Sequence, residues 1–198
     1  NDIERKFWKD DFSVDSSSRY TGDVASFTWD TANKKLSSTT VNSVKSIYRV
    51  LNNQSVSRFR VVVSGASRED IWTSAVFAID GSGNKYGIMI HQSANTFALC
   101  RNGSTVGWGQ WSSNPSVALS DGNPHAVIID IVGGYVRAWV EENPSVTCGS
   151  LSLTPVSGLT YAVGAYLDVR CTGVCIYELT AFPSISYADF ITGTGGGI

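Results

Sequence analysis

The feature that most limits this chain is an apolar/polar alternation of period two. It recurs along the sequence and is cut into short runs by glycine-containing turns. Ala25-Phe27-Trp29 alternates with Ser26-Thr28-Asp30, Phe59-Val61-Val63 with Arg58 and Arg60, Tyr86-Ile88-Ile90 with Met89 and His91, and Val136-Ala138-Val140 with Tyr135-Arg137-Trp139. Successive strand residues point to opposite faces, so each run specifies a strand with one face in a core. Residues 126–132 are apolar on both faces except for Asp130, as a central strand would be. The segments Asp80-Gly81-Ser82-Gly83-Asn84, Asn102-Gly103, Gly133-Gly134 and Thr172-Gly173 read as tight turns. About ten to thirteen short strands joined in this way predict an all-β fold, an antiparallel β-sandwich of jelly-roll type. Helical periodicity is almost absent, with single turns expected at Arg68-Glu69-Asp70 and at 187–190. Strand–helix alternation is missing, which argues against a parallel sheet.

With 198 residues and 42% hydrophobic side chains, the chain can fill one core, so residues 1–190 are expected to form a single sandwich domain. Residues 191–198 are expected to be a flexible glycine-rich tail. Charged residues are only 16%, and 15 basic against 17 acidic side chains leave a net charge of −2. That balance offers no electrostatic footprint for nucleic acid or an anionic membrane. The longest apolar run, near 126–132, is far shorter than the roughly 20 residues of a membrane-spanning helix. The chain opens on Asn1 with a charged stretch and no apolar leader, so a processed protein or a fragment is expected. Richness in Gly, Ser, Thr and Asn with 11% aromatic residues suits an extracellular or virion-surface location. Of the four cysteines, Cys171 and Cys175 are expected to lie across a tight hairpin; whether Cys100, Cys148, Cys171 and Cys175 are thiols or disulfides stays open.

A wider pattern is carried by "Lys85-Tyr86-Gly87-Ile88", by His125-Ala126-Val127 running through Asp130 and Gly133-Gly134 to Val136-Arg137-Ala138-Trp139-Val140, by "Tyr161-Ala162-Val163-Gly164-Ala165-Tyr166", and by the closing "Glu178-Leu179-Thr180-Ala181-Phe182". This succession, with Asp10-Asp11-Phe12 and Phe27-Thr28-Trp29-Asp30 near the start, resembles laminin-G-like and concanavalin A-like jelly rolls over about residues 7–190. Members of that superfamily include lectins, glucanases, adhesins and phage tail-fibre modules, so the resemblance implies a fold and leaves function to the site.

Glycoside hydrolysis needs two carboxylates about 5–10 Å apart. Jelly-roll glucanases carry theirs as Glu-x-Asp-x-x-Glu on one strand face, and this sequence has no such motif; Asp130 and Glu178 are the pair that could face each other across neighbouring strands. "Ile90-His91-Gln92" and the Tyr161–Tyr166 segment resemble parts of alginate lyases, which use a His and a Tyr in the sheet's concave groove. The arginine-rich strand of that family and the Lys between its tyrosines are missing. For sugar recognition, aromatic faces and amide or guanidinium rims are needed. Trp108, Gln110 and Trp111 in a Gly/Ser loop, with Arg101, form one such set, and Tyr135, Arg137 and Trp139 on one strand face form a second. Core capping is the alternative for Trp108 and Trp111, a covering sheet or loop is the alternative for the second set, and core packing is expected for Trp8, Trp29 and Trp72. No cofactor is expected. A structural calcium is the one ion the pattern leaves open, at Asp10, Asp11 or Asp80, with a plain hairpin as the alternative at Asp80.

On these residues the chain is expected to be a non-catalytic, lectin-like surface-recognition module that binds a polysaccharide or cell-surface glycan. A structural or protein-interaction domain of a tail fibre, capsid decoration or adhesin is the second reading, and a jelly-roll glycan hydrolase or lyase the third. Homo-oligomers or a larger surface assembly are compatible partners; nucleic acid and membrane are not expected.

Overall fold

The computed structural model describes residues 8–38, 44–51, 56–64, 72–91, 96–102, 116–119, 121–132, 134–147, 151–152, 157–168 and 175–183. Fifteen strands run through them: β1 (Trp8–Asp10), β2 (Thr21–Gly22), β3 (Phe27–Asp30), β4 (Lys35–Ser38), β5 (Val44–Val50), β6 (Val56–Ser64), β7 (Trp72–Ile79), β8 (Lys85–His91), β9 (Thr96–Arg101), β10 (His125–Val132), β11 (Tyr135–Val140), β12 (Asn143–Thr147), β13 (Leu151–Ser152), β14 (Thr160–Asp168) and β15 (Cys175–Pro183). Helix among the described residues is limited to two single 3₁₀ turns, Ser17–Arg19 and Val24–Ser26. The predicted turns Arg68–Asp70 and 187–190 lie outside the described residues.

Every strand pair is antiparallel. A nine-stranded sheet runs β12-β11-β10-β6-β15-β4-β3, with β1 on β15 and β13 on β11; a six-stranded sheet runs β2-β5-β14-β7-β8-β9. The expected antiparallel β-sandwich of jelly-roll type is the fold observed. Alternation is read out as predicted. On the nine-stranded sheet Phe59, Val61, Val63, Val127, Ile129, Ile131, Val136, Ala138 and Val140 enter the core, and on the six-stranded sheet Ile47, Phe77, Tyr86, Ile88 and Val163 do so. Phe59 bridges the two layers, with ring centroids 6.2 Å from Phe77 and 6.4 Å from Tyr161. Each such fully buried side chain contributes about 1.5–3 kcal/mol of transfer free energy. In β7 strict alternation fails: a bulge opposite β8 between Val76 and Ala78 sends both Phe77 and Ala78 inward.

Buried Asp10 organises the entry to the sandwich. It accepts hydrogen bonds from the Phe12 amide, the Ser16 hydroxyl and the Tyr20 hydroxyl, and Ser16 in turn accepts from Trp29 Nε1 at 2.9 Å. The bond to the Phe12 amide holds that residue in the left-handed region, φ 56°, with its ring fully buried. Such a backbone costs about 1–3 kcal/mol, which the burial of a whole phenyl ring offsets. Trp8 and Trp29 pack against the core edge, as expected.

Candidate functional site

Two outward faces concern function. On the nine-stranded sheet, Tyr135, Arg137 and Trp139 do share the solvent side of β11, opposite the inward Val136, Ala138 and Val140. Tyr135 is exposed, but Trp139 is buried, with the Arg58 guanidinium 5.5 Å and the Arg137 guanidinium 5.1 Å from its ring centroid. Asp130 sits beneath, fully buried, and accepts from Arg58 Nε at 2.6 Å and Nη2 at 2.8 Å. Burial pushes the Asp130 carboxyl up and the Arg58 bonds oppose that rise.

The pairing of Asp130 with Glu178 is corrected by the register. β6 lies between their strands; Asp130 stands opposite Arg58, whereas Glu178 stands opposite Val62. Two strand spacings and four residues of offset separate the two Cα atoms by about 17 Å, well beyond a glycosidase pair. Each carboxylate has its own arginine. Arg60 holds Glu178 at 2.8 Å and Glu141 at 2.9 Å.

The other face belongs to the six-stranded sheet. Because Ile47, Val163, Tyr86 and Ile88 point into the core, their alternates occupy outward positions. Register then assembles three adjacent rows. Tyr48, Gly164, Val76, Gly87 and Cys100 make the first; Ser46, Tyr166, Ser74, Met89 and Ala98 the second; Val44, Asp168, Trp72, His91 and Thr96 the third. The first row and its neighbour Ala162 are small or close-packed: Val76 is 3% exposed and Ala162 fully buried, although neither belongs to the inner core. At Gly164 a Cβ would lie 2.2 Å from the Ile47 carbonyl oxygen and 2.8 Å from the Tyr48 Cα, so only glycine permits β14 to run this close to β5.

Across this floor two long side chains meet. Tyr48 on β5 and Lys85 on β8 are separated by β14 and β7, yet Lys85 Nζ lies 5.7 Å from the Tyr48 ring centroid. Four residues along β8 from Gly87, the third row brings His91, Trp72 and Asp168 to consecutive positions on neighbouring strands, with Tyr166 one row away. His91 and Tyr166, apart in sequence, thus share a face with a Cα separation of about 12 Å, estimated from two strand spacings and one pleat repeat. Trp72 takes an outward register position on β7.

Of the other sequence candidates, Trp108, Gln110 and Trp111 lie outside the described residues, as do Cys148 and Cys171. Arg101 is exposed at the end of β9, opposite Tyr86 of β8. Asp80 is a hairpin cap: it accepts from the amides of Ser82 and Asn84, Asn84 Nδ2 and the Tyr86 hydroxyl. Partial burial opposes these bonds, but together they hold its carboxyl below the usual range. Asp11 caps Ser13 through that residue's amide and hydroxyl. The candidate calcium carboxylates are therefore each engaged by protein donors. Among the described residues no three His, Cys, Asp or Glu side chains converge as metal ligands do. Sequence reasoning noted His91 and the Tyr161–Tyr166 segment without placing either in a site, and it missed Asp168, Tyr48 and Lys85, since only long-range register joins them.

No protein-family model matches the chain, and no curated protein matches it. Solved structures do. A Bacillus licheniformis β-glucanase matches with a TM-score of 0.62 at 10% identity, over 88% of this chain and 97% of that one. The laminarinase catalytic domain of Thermotoga maritima matches with a TM-score of 0.61 at 8% identity, over 92% and 99%. A Bacillus subtilis protein of unknown function with a galectin-like fold matches with a TM-score of 0.66 at 9% identity, over 90% and 96%. At such identities the likeness establishes the jelly-roll fold. It also corrects one expectation. Reading the chain as no enzyme rested on the missing Glu-x-Asp-x-x-Glu and the missing lyase residues, and it is not kept, because structures named as a β-glucanase and a laminarinase share the fold over nearly the whole chain.

Proposed function

We propose that this domain is a glycan-cleaving enzyme whose reaction centre lies on the outward face of the six-stranded sheet. The observation that supports it is the register that gathers His91, Trp72 and Asp168 into one row, with Tyr166 in the next. These residue types carry the required chemistry. An imidazole and a phenol are proton-transfer groups, an indole packs on the apolar face of a sugar ring, and a carboxylate fixes or polarises.

Among the outward positions of the described strands of the six-stranded sheet, Asp168 is the sole carboxylate. A hydrolase of the two-carboxylate kind needs a second, whereas β-elimination does not. In elimination, a base takes the proton from the carbon beside a uronate carboxylate and the bond to the glycosidic oxygen breaks. That oxygen receives a proton, and a carbon–carbon double bond remains. His91 and Tyr166 are the proton-transfer pair for this step. Hydrolysis is the second reading, favoured by the names of the structures that share the fold: a β-glucanase and a laminarinase.

Incubation of the protein with acidic and neutral polysaccharides tests both. New reducing ends together with ultraviolet absorbance of an unsaturated sugar identify elimination, and reducing ends without that absorbance identify hydrolysis. Neither signal on any polysaccharide would refute the proposal.

A further inference from the structure

We infer that Lys85 and Tyr48 form a subsite for an anionic sugar residue, beside the reaction centre and on the same face; this rests on the reading of that face as a glycan site. The pair is carried by geometry. Tyr48 and Lys85 stand on outward positions, opposite the inward Ile47 and Tyr86, and both are half-buried. Their side chains span β14 and β7 and meet with Nζ 5.7 Å from the ring centroid. No described carboxylate is within ion-pairing distance of Lys85, although 15 basic and 17 acidic side chains make partners plentiful in this chain.

An ammonium held by the π face of a tyrosine keeps its outer side for an anion. Lysine binds carboxylate or sulfate as a point charge, without the fixed fork of arginine, so it suits charge selection more than a single geometry. The floor beneath, of Ala162, Gly164, Val76 and Gly87, is buried, so a ligand on this face would lie on the half-buried Tyr48 and Lys85 side chains, between the Tyr48 row and the His91 row. Those two rows are four residues apart along β8, about 13 Å, which admits a chain of more than one sugar unit.

Binding measured by affinity electrophoresis or calorimetry tests this, with a polyuronate, a sulfated glycan and a neutral β-glucan, on the wild-type domain and on Lys85→Met and Lys85→Arg. The expected result is at least tenfold tighter binding of one or both anionic polymers than of the neutral one. That preference should weaken as salt rises, vanish in Lys85→Met and return in part in Lys85→Arg, at unchanged melting temperature. Which anionic polymer binds separates carboxylate from sulfate. Equal loss of neutral and anionic binding in Lys85→Met, or a wild-type preference for the neutral glucan, would overturn the subsite while leaving the glycan site standing. Absence of binding to all three polymers would remove both.

Discussion

Arg58 and Asp130 form a two-pronged ion pair on the outward side of the nine-stranded sheet, at 2.6 and 2.8 Å, with the carboxylate fully buried and Trp139 laid against the guanidinium. They stand directly opposite each other on β6 and β10, so strand register alone brings them together. Replacing one partner strands a charge in a dry environment. Arg58→Met is expected to destabilise the domain by about 3–5 kcal/mol, and Arg58→Met combined with Asp130→Leu to recover most of that loss. Urea unfolding of the three proteins checks it, and equal stability of the single and double variants would show that the pair is not the cause.

Gly164→Ala is expected to cost about 3 kcal/mol or force β14 away from β5, because the added methyl would meet backbone atoms 2.2 and 2.8 Å away, which have no rotamer to escape into. Gly83→Ala is the comparison. Space is open there and only the positive φ of 81° resists, so about 1 kcal/mol is expected. Chemical denaturation ranks the two, and a smaller loss at Gly164 would contradict the close approach.

His125 sits between two carboxylates, with Nε2 2.9 Å from Asp121 and Nδ1 2.9 Å from Glu142. Burial disfavours its charge, yet the bonds to Glu142 and Asp121 outweigh that and raise it above the ordinary imidazole value. The bond to His125 leads the causes that pull Asp121 down to about 2. A raised histidine stabilises fully below its unfolded value and loses that contribution as pH climbs through the folded one. A depressed aspartate stabilises above its unfolded value and loses that as pH falls. The stability difference between wild type and His125→Gln should therefore be largest between about pH 4 and 6.5 and shrink on either side. Thermal melts across pH measure it, and a difference that grows above pH 8 would contradict the clamp.

Cys175 is buried, and burial pushes its thiol up. In the native domain at neutral pH it should resist alkylation, and it should react once the sandwich is unfolded. Peptide mapping after brief labelling reads this directly, and rapid native labelling would mean that β15 opens.

Much of the fold was legible because a β-sandwich writes its inward and outward residues into alternate positions. Phe59-Val61-Val63 and Val136-Ala138-Val140 needed nothing beyond that. The bulge that turns both Phe77 and Ala78 inward was not legible, since it depends on what β8 presents across the sheet. The site was legible only in fragments. His91 and the Tyr161–Tyr166 segment drew notice, but the face that His91 and Tyr166 share is a product of β14-β7-β8 pairing. Trp72 joins the His91 row only through the pairing of β7 with β14 and β8. Tyr48 and Lys85 carry no local signal at all, because two intervening strands separate them. Trp139, by contrast, reads as a candidate ligand contact and is buried between two arginines.

On the proposed function, the outward face of the six-stranded sheet cleaves glycans through His91 and Tyr166. The most direct measurement is the initial rate of depolymerisation of a polyuronate by the wild type, His91→Ala and Tyr166→Phe, with melting temperatures recorded alongside. Product is expected from the wild type, with a fall of about 10²-fold or more in each variant, the usual contribution of a proton-transfer group, at unchanged melting temperature. Wild-type rates retained in both variants would contradict it.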